Sequence, residues 1–214
     1  MLTLRGPAVC GTFVLCLALM SPSMSLAQSG KDERAGDVRV SAKMFEKDRG
    51  AGSRDSGRTG ASVTAEIDIA VSPQIVWQAM TDCARSPAFV PGLQACRVLQ
   101  KDPNGLSDVR EHQVKFTALL PSITMQFRSD YRPIEEIKFT TQGVGTNQRQ
   151  VTTSSGRWTL TSQNEGRATK VSYEVDLRTS LPVPRSLLQS GLQRDVPAVL
   201  LALRGEAIRL QSLR

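Results

Sequence analysis

Few side chains in this 214-residue sequence could carry out acid–base or nucleophilic chemistry. The single imidazole, that of His112, titrates near neutral pH and could act as a general base if its ring pointed into a pocket. A lone histidine on a strand is more often a hydrogen-bonded structural residue. No nucleophile stands beside a base, and no paired carboxylates, glycine-rich phosphate loop or clustered metal ligands occur at usable spacing. The sequence therefore predicts no catalytic residue, no metal and no cofactor, and favours binding over catalysis.

The four cysteines fall into two pairs. Cys10 and Cys16 lie in an apolar N-terminal segment, whereas Cys83 and Cys96 stand about a dozen residues apart in the middle of the chain. An even pair in an oxidising compartment predicts a disulfide between Cys83 and Cys96. Two buried free thiols are the alternative. Because nothing in the sequence places either sulfur near His112, a cysteine–histidine nucleophile is not expected.

The N-terminal segment has the pattern of a secretory signal peptide. Arg5 precedes an apolar run over residues 9–20, and Ser25-Leu26-Ala27 supplies the small-x-small pattern that a signal peptidase recognises. The apolar run is shorter than the ~20 residues of a membrane-spanning helix. Residues 1–27 are therefore predicted to be removed, which would place the mature protein in a periplasm or outside the cell.

Charge narrows the range of partners. The chain carries a formal charge of +7, and loss of the single arginine of residues 1–27 lowers it by one to +6. The basic residues are scattered and are not interleaved with stacking aromatics, so no nucleic-acid partner is predicted. The charge is compatible with peripheral contact with an anionic membrane. The sequence leaves the oligomeric state open.

Residue patterning predicts a flexible leader followed by one α+β domain. Residues 28–60 are polar and rich in turn formers, except for an alternating stretch at 38–46 that predicts an edge strand. In the domain, residues 61–211, a strand precedes Ser72-Pro73, where the serine hydroxyl is expected to cap a helix. A meander of antiparallel strands follows, with its first turn at residues 102–105.

The last segment changes to the spacing of an amphipathic helix. Apolar residues recur at i, i+3 and i+4 from Leu187 to Leu210. Pro197 is expected to kink or restart this helix, with Asp195 as a cap for its second half, because proline removes a backbone donor inside a helix. The helix needs a partner, and the apolar face of the sheet is the large surface available to it.

Several segments resemble the START-like, or SRPBCC, superfamily, which includes polyketide cyclase/dehydrase and coenzyme Q-binding relatives. They are Ile75-Val76-Trp77-Gln78-Ala79-Met80-Thr81-Asp82, Phe89-Val90-Pro91-Gly92, Arg97-Val98-Leu99, Gly156-Arg157-Trp158-Thr159-Leu160, Leu181-Pro182-Val183-Pro184 and Arg194-Asp195-Val196-Pro197. The resemblance covers residues 61–211 and makes the chain an exported member of the group. It implies the helix-grip fold, in which a curved antiparallel sheet wraps a long C-terminal helix and two short helices complete a cavity.

A cavity of this kind would be lined mainly by apolar side chains, with a few polar groups that orient the ligand. The polar candidates are His112 and Arg157. The predicted apolar and aromatic lining residues are Phe89, Phe116, Met125, Phe127, Phe139, Trp158, Tyr173, Leu188, Leu192 and Val199. The alternative is that the same side chains fill a solid core.

Three classes of function follow. The first is a carrier or sensor in the cell envelope that binds an apolar small molecule or lipid, such as an isoprenoid or quinone. The second, which the resemblance implies for some relatives, is a cyclase- or dehydratase-like enzyme acting on a hydrophobic substrate. The third is a protein-interaction module with a solid core. The missing acid–base pair disfavours the enzyme, so ligand binding is the preferred prediction.

Overall fold

The structure is a computed structural model that describes residues 38–46, 59–115, 122–144, 152–179 and 184–214. The predicted signal peptide, most of the predicted leader and Phe116 lie outside these residues. Among the described residues, no helix combines the length and apolar character needed to cross a membrane.

Eight antiparallel strands form one sheet in the described part of the chain, in the order β1-β2-β8-β7-β6-β5-β4-β3. The strands are β1 (Arg39–Glu46), β2 (Thr59–Ile69), β3 (Leu93–Lys101), β4 (Ser107–Val114), β5 (Ile123–Arg132), β6 (Glu136–Val144), β7 (Thr152–Gln163) and β8 (Ala168–Thr179). The strand predicted at 38–46 pairs with β2 at the edge of the sheet, as in the pair Val40–Ala65. Thus β1 and β3 form the two edges.

The turn between β3 and β4 has the chemistry that its residues predict. The amide of Gly105 donates to the carbonyl of Asp102 at 2.8 Å. Gly105 has φ +73°, a left-handed conformation that glycine adopts without a steric cost. The turn therefore sets the register in which β4 pairs with β3.

Two short helical elements follow β2, as the resemblance implies. Helix α1 spans Pro73–Thr81, and a short 3₁₀ helix spans Ser86–Ala88. Ser72 does precede α1, but its hydroxyl makes no capping bond; instead its carbonyl accepts from the amides of Ile75 and Val76. The predicted helix start is right, and the predicted capping interaction is wrong.

Helix α2 spans Arg185–Gln211 and runs through Pro197 without interruption. The prediction of a restart at Pro197 is therefore wrong. The carboxylate of Asp195 pairs with the guanidinium of Arg194 at 2.7 Å and is not used as a cap. Val196, Pro197 and Leu200 are buried on either side of the expected break, and this packing outweighs the local preference of proline.

The hydrophobic core lies at one side of the molecule. Helix α2 packs on α1, β1 and β2. The inward residues of β2, from Ala61 to Ile69, are at most 2 % exposed and meet Leu200, Leu203 and Ala207 of α2 in one cluster. A curved antiparallel sheet covered by a long C-terminal helix is the helix-grip fold, so the predicted fold class is confirmed.

Candidate ligand-binding site

A cavity of about 580 Å³ lies on the inner face of the sheet, beside the cluster of buried aliphatic residues, of which Ala79 and Leu203 border it. Strands β4 to β8 supply its floor. Helix α2 supplies one wall through Asp195, Val199 and Leu203, which are spaced four residues apart and therefore share one face of the helix. Residues 86–93, which follow α1, close another side.

Seven of the residues selected from the sequence border this cavity. Six are apolar or aromatic and one is the lone histidine: Phe89, Phe127, Phe139, Trp158, Tyr173, Val199 and His112. They come from six strands and helices and, for Phe89, from the segment before β3, so the fold brings together residues up to 110 positions apart, Phe89 and Val199.

The prediction that Arg157 is a polar group of the cavity is wrong, because this residue lies on the opposite face of the sheet. Its guanidinium is half exposed and pairs with Glu174 of β8 at 2.8 Å. Successive side chains of a strand point to opposite faces, so Arg157 cannot share the inner face with its neighbour Trp158. Arg157 is therefore not a polar group of the cavity.

Three further predicted lining residues do not border the cavity. Leu188 and Leu192 lie in the first two turns of α2, whereas the cavity meets the helix only from Asp195 onward; Leu192 packs on the aliphatic cluster instead. Met125 is 8 % exposed and is covered by protein atoms. Phe116 lies outside the described residues, so its placement stays a prediction.

An aromatic row crosses the cavity floor. Ring centroids are 5.3 Å apart for His112 and Phe127, 6.3 Å for Phe127 and Phe139, and 6.2 Å for Phe139 and Tyr173. Trp158 extends the row, with its ring centroid 4.1 Å from that of Tyr173. These side chains are only partly buried because they face the cavity.

A glycine on β7 leaves room for the ring of Phe139 in the cavity floor. Gly156 pairs with Phe139 across β6 and β7. A Cβ at this position would lie 2.1 Å from the carbonyl oxygen of Glu174 and 2.8 Å from Cζ of Phe139. Any side chain would therefore push Phe139 out of the row, and only glycine fits beneath the ring.

The environment of His112 keeps its imidazole neutral. Burial, and secondarily the nearby Arg110 guanidinium, lower the pKa of His112 to about 4, although Asp108 opposes the shift. Neither ring nitrogen makes a hydrogen bond to another described residue. At neutral pH the ring therefore offers one N–H donor and one acceptor nitrogen to the cavity.

A buried ion pair lies beside this histidine. The Nε of Arg110 donates to Asp108 at 2.8 Å, and its Nη2 donates to the carbonyl of Thr81, the last residue of α1, at 3.1 Å. The guanidinium also lies 5.8 Å from the ring centroid of Tyr131. The charge of Arg110 is thus compensated within the protein, and the ion pair ties α1 to β4.

Tyr131 and Asp108 each have an unsatisfied polar atom. The Tyr131 hydroxyl and Oδ1 of Asp108 are buried and have no hydrogen-bond partner among the described residues. Burial, together with the nearby Asp108, raises the pKa of Tyr131 above its usual range, so the phenol stays protonated. Burial likewise raises the pKa of Tyr173.

Sequence reasoning missed Arg110, Asp108 and Tyr131. A signal for two of them was available, because Asp108, Arg110 and His112 alternate along β4. Once His112 is placed on the inner face, the two-residue period of the strand places Arg110 and Asp108 there as well. The inner face of β4 is therefore polar, whereas the rest of the floor is mostly aromatic.

A disulfide and a buried ion-pair cluster hold the segment after α1 in place. Cys83 and Cys96, the pair expected to bridge, form a disulfide with a Cα–Cα distance of 5.4 Å. Glu206, on α2, is buried and accepts from Arg85 at 3.1 Å and from Arg209 at 2.6 Å. The hydrogen bond from Arg209 is the main cause that lowers the pKa of Glu206. These ties fix the wall that contains Phe89.

No group of histidine, cysteine, aspartate and glutamate side chains within the described ranges could hold a metal ion. The polar groups of the cavity wall can donate and accept hydrogen bonds, and the aromatic row can contact an apolar body. The geometry is thus suited to holding an organic molecule.

Known structures share this fold. The Zhui aromatase/cyclase from Streptomyces sp. R1128 matches with a TM-score of 0.59 and 18 % identity, over 70 % of this chain and 94 % of that one. Human STARD10 matches with a TM-score of 0.67 and 10 % identity, over 85 % and 73 %. A START superfamily protein from Mycobacterium smegmatis matches with a TM-score of 0.58 and 18 % identity, over 72 % and 99 %.

The comparison with curated proteins finds no significant match. The sequence pattern of the family described as "Polyketide cyclase / dehydrase and lipid transport" matches residues 69–204, which is more than half of the chain and includes all of α1 and the residues that border the cavity. The chain therefore belongs to the polyketide cyclase/dehydrase and lipid transport family.

Proposed function

We propose that this protein binds an apolar small molecule or lipid in the cavity and acts as a carrier or sensor in the cell envelope. The cavity itself carries the proposal. Its volume of about 580 Å³ falls in the ~300–1,000 Å³ range of small-molecule sites. A solid interior would have favoured the interaction module instead, because no ligand could then enter.

The chemistry of the lining supports an apolar ligand. Six aromatic side chains border the cavity, and they are Phe89, Phe127, Tyr131, Phe139, Trp158 and Tyr173. Aromatic surface left open to water in this way is unfavourable, at roughly 25 cal/mol for each Å². An apolar occupant removes this surface from water and so gains binding free energy.

The placement in the cell envelope rests on two features. Residues 1–27 have the pattern of a signal peptide, and the Cys83–Cys96 disulfide is of a kind that persists in oxidising compartments. Fractionation of the native host, with an antibody against the protein, tests this part. Recovery with the cytoplasmic fraction would overturn it.

The first test of binding is native mass spectrometry of the protein purified without detergent from its own host. Organic extraction then identifies any released molecule. A stoichiometric apolar ligand is the expected result. A protein that is empty, and that also binds nothing from a panel of lipids and quinones, would overturn the proposal.

A cavity-filling variant connects binding to this site. Val199→Trp places a large ring against the floor from the α2 side and should abolish ligand retention while the far-ultraviolet circular dichroism stays unchanged. Leu187→Trp is the matched control, because Leu187 lies on the same helix but is 63 % exposed. Equal ligand retention in Val199→Trp and Leu187→Trp would place the ligand elsewhere.

A cyclase- or dehydratase-like activity is the second candidate, and the position of His112 on the cavity wall favours it. A pKa of about 4 makes the imidazole a weak base at neutral pH, which ranks catalysis below binding. Chemical change of the extracted ligand on incubation with the protein, lost in His112→Asn while binding persists, would reverse this ranking.

A further inference from the structure

Besides the buried Tyr131 hydroxyl, two polar side chains on the cavity wall have no hydrogen-bond partner within the described part of the protein. The imidazole nitrogens of His112 make no hydrogen bond there, and neither does the hydroxyl of Tyr173; their recorded contacts are with aromatic rings. Both residues border the cavity. Both side chains are only partly buried and face the cavity, so each group can form a hydrogen bond with a ligand there.

These two groups lie at separate places on the floor. His112 is on β4 and Tyr173 is on β8, with β5, β6 and β7 between them. Four steps of about 4.8 Å between neighbouring strands give an arc of roughly 19 Å, which the curvature of the sheet shortens. A ligand that meets both groups must therefore be elongated.

Aromatic rings fill the space between the two polar groups. Phe127 and Phe139 connect the imidazole to the Tyr173 ring, and the rings of Phe139 and Tyr173 are nearly parallel, with an interplanar angle of 12°. Aromatic side chains prefer offset-stacked or edge-to-face contacts with other rings. The middle of the ligand is then best matched by a flat ring system.

The charges of the site disfavour an anionic head group. Arg110 is the cation deepest in the wall, and Asp108 already neutralises it at 2.8 Å. Near neutral pH, His112 is uncharged. A carboxylate or phosphate placed beside Arg110 would therefore meet a cation that is already paired, and Lys115, the other cation that borders the cavity, is exposed to water.

We infer that the ligand of this cavity is an uncharged, elongated, ring-containing molecule with a hydrogen-bonding group at each end, one held by His112 and the other by Tyr173. This inference rests on the proposed function and narrows its ligand class. A fatty acid or a phospholipid has a single charged head group and a flexible chain, and it does not match the floor.

The test uses trans-stilbene with a para hydroxyl on both rings, on one ring or on neither, and oleate and dioleoyl phosphatidylcholine as lipids. Quenching of protein fluorescence, with Trp158 on the cavity floor as the reporter, gives the dissociation constants of the stilbenes; native mass spectrometry detects the lipids. Each hydroxyl should lower the dissociation constant about fivefold, as expected for one net hydrogen bond.

Two conservative variants assign the hydroxyls to their partners. Tyr173→Phe and His112→Phe each keep an aromatic ring in the row and remove the polar atoms. In each variant the affinity ratio between the two-hydroxyl and the hydroxyl-free stilbene should fall about fivefold. Arg157→Gln is the control, because Arg157 lies on the outer face of the sheet and should leave the ratio unchanged.

The outcomes separate this inference from the proposed function. Binding of oleate or phosphatidylcholine without binding of any stilbene would overturn the inference and leave the proposed function standing. Equal affinity for all three stilbenes would also overturn it. Failure of every compound to bind would overturn the proposed function, whereas a graded series that both variants flatten would support both.

Discussion

The two sides of the sheet's inner face are built from different residues. On the side of β1 and β2, valine, isoleucine and alanine side chains pack in one buried cluster with leucines of α2, and the largest fully buried side chains there include Ile67, Ile69 and Leu200. On the side of β4, β5 and β6, aromatic and polar side chains border a cavity of about 580 Å³. No aromatic residue is among the buried core residues of the described chain.

The difference shows how the inner face of one sheet can support a closely packed core on one side and line a cavity on the other. Small branched side chains interdigitate closely and leave few voids. Rigid rings that lie edge to face, such as Phe127 and Phe139, cannot close a gap by changing rotamer, and the Asp108–Arg110 pair keeps the wall of β4 polar. Stability should therefore depend mainly on the aliphatic side, and ligand recognition on the aromatic side.

Truncating one side chain on each side of the inner face should show the largest difference between the two sides. Ile67→Ala removes atoms from a site that is 1 % exposed and should lower the free energy of unfolding by about 3 to 4 kcal/mol. Phe127→Ala removes more atoms but from a ring that borders empty space, so its cost should be smaller. Urea unfolding of both variants measures the difference. A greater loss for Phe127→Ala would show that the aromatic side is the true core.

The disulfide should supply much of the stability of the cavity side. Cys83 and Cys96 are 13 positions apart, and opening a loop of this size should cost about 3 kcal/mol by the chain-entropy estimate. Thermal unfolding of Cys83→Ser/Cys96→Ser, with and without dithiothreitol, measures the loss. Reductant should lower the melting temperature of the natural protein and leave that of the double variant unchanged; insensitivity of both would mean that the bridge contributes nothing.

Gly156→Ala should disturb the floor of the cavity. The new Cβ would meet backbone at 2.1 Å, so the free energy of unfolding should fall by about 2 kcal/mol. Gly191→Ala in α2 is the control, because no atom lies within 4 Å of its Cβ position and alanine favours a helix by about 1 kcal/mol. Opposite signs in a denaturant titration are expected, and equal effects would refute the close approach at Gly156.

The smallest expected effect is a pH dependence from the cavity wall. The pKa of His112 is about 4 in the folded protein and about 6.5 when unfolded, so the unfolded chain binds the extra proton first on acidification. Nearly all of this stability should be present above pH 6.5, and roughly 1.5 kcal/mol of it should be lost between pH 6.5 and pH 5. Urea unfolding between these values measures the slope, which His112→Phe should remove. An unchanged slope would assign it to other groups.

Most of the secondary structure could be predicted from the sequence. The alternation in β2, the turn that ends at Gly105 and the helical spacing of α2 each reflect local backbone and side-chain geometry. The residues of the site were predicted less completely. A period of two shows which side chains share a face, and it already separates Trp158 from Arg157, but it does not show which faces the curled sheet will turn toward a cavity.

The sequence by itself indicated the order of the elements through local patterns and the fold through its resemblance to a known superfamily. It also made Cys96 the expected partner of Cys83, with two free thiols as the alternative. Tertiary structure decided that α2 continues through Pro197, that the cavity meets this helix only from Asp195 onward, and that Arg110 is paired with Asp108 beside His112. It also decided that the interior is hollow. The physical reason is that a void depends on how far the helix stands from the curved sheet, and this distance results from the packing of all the side chains between them.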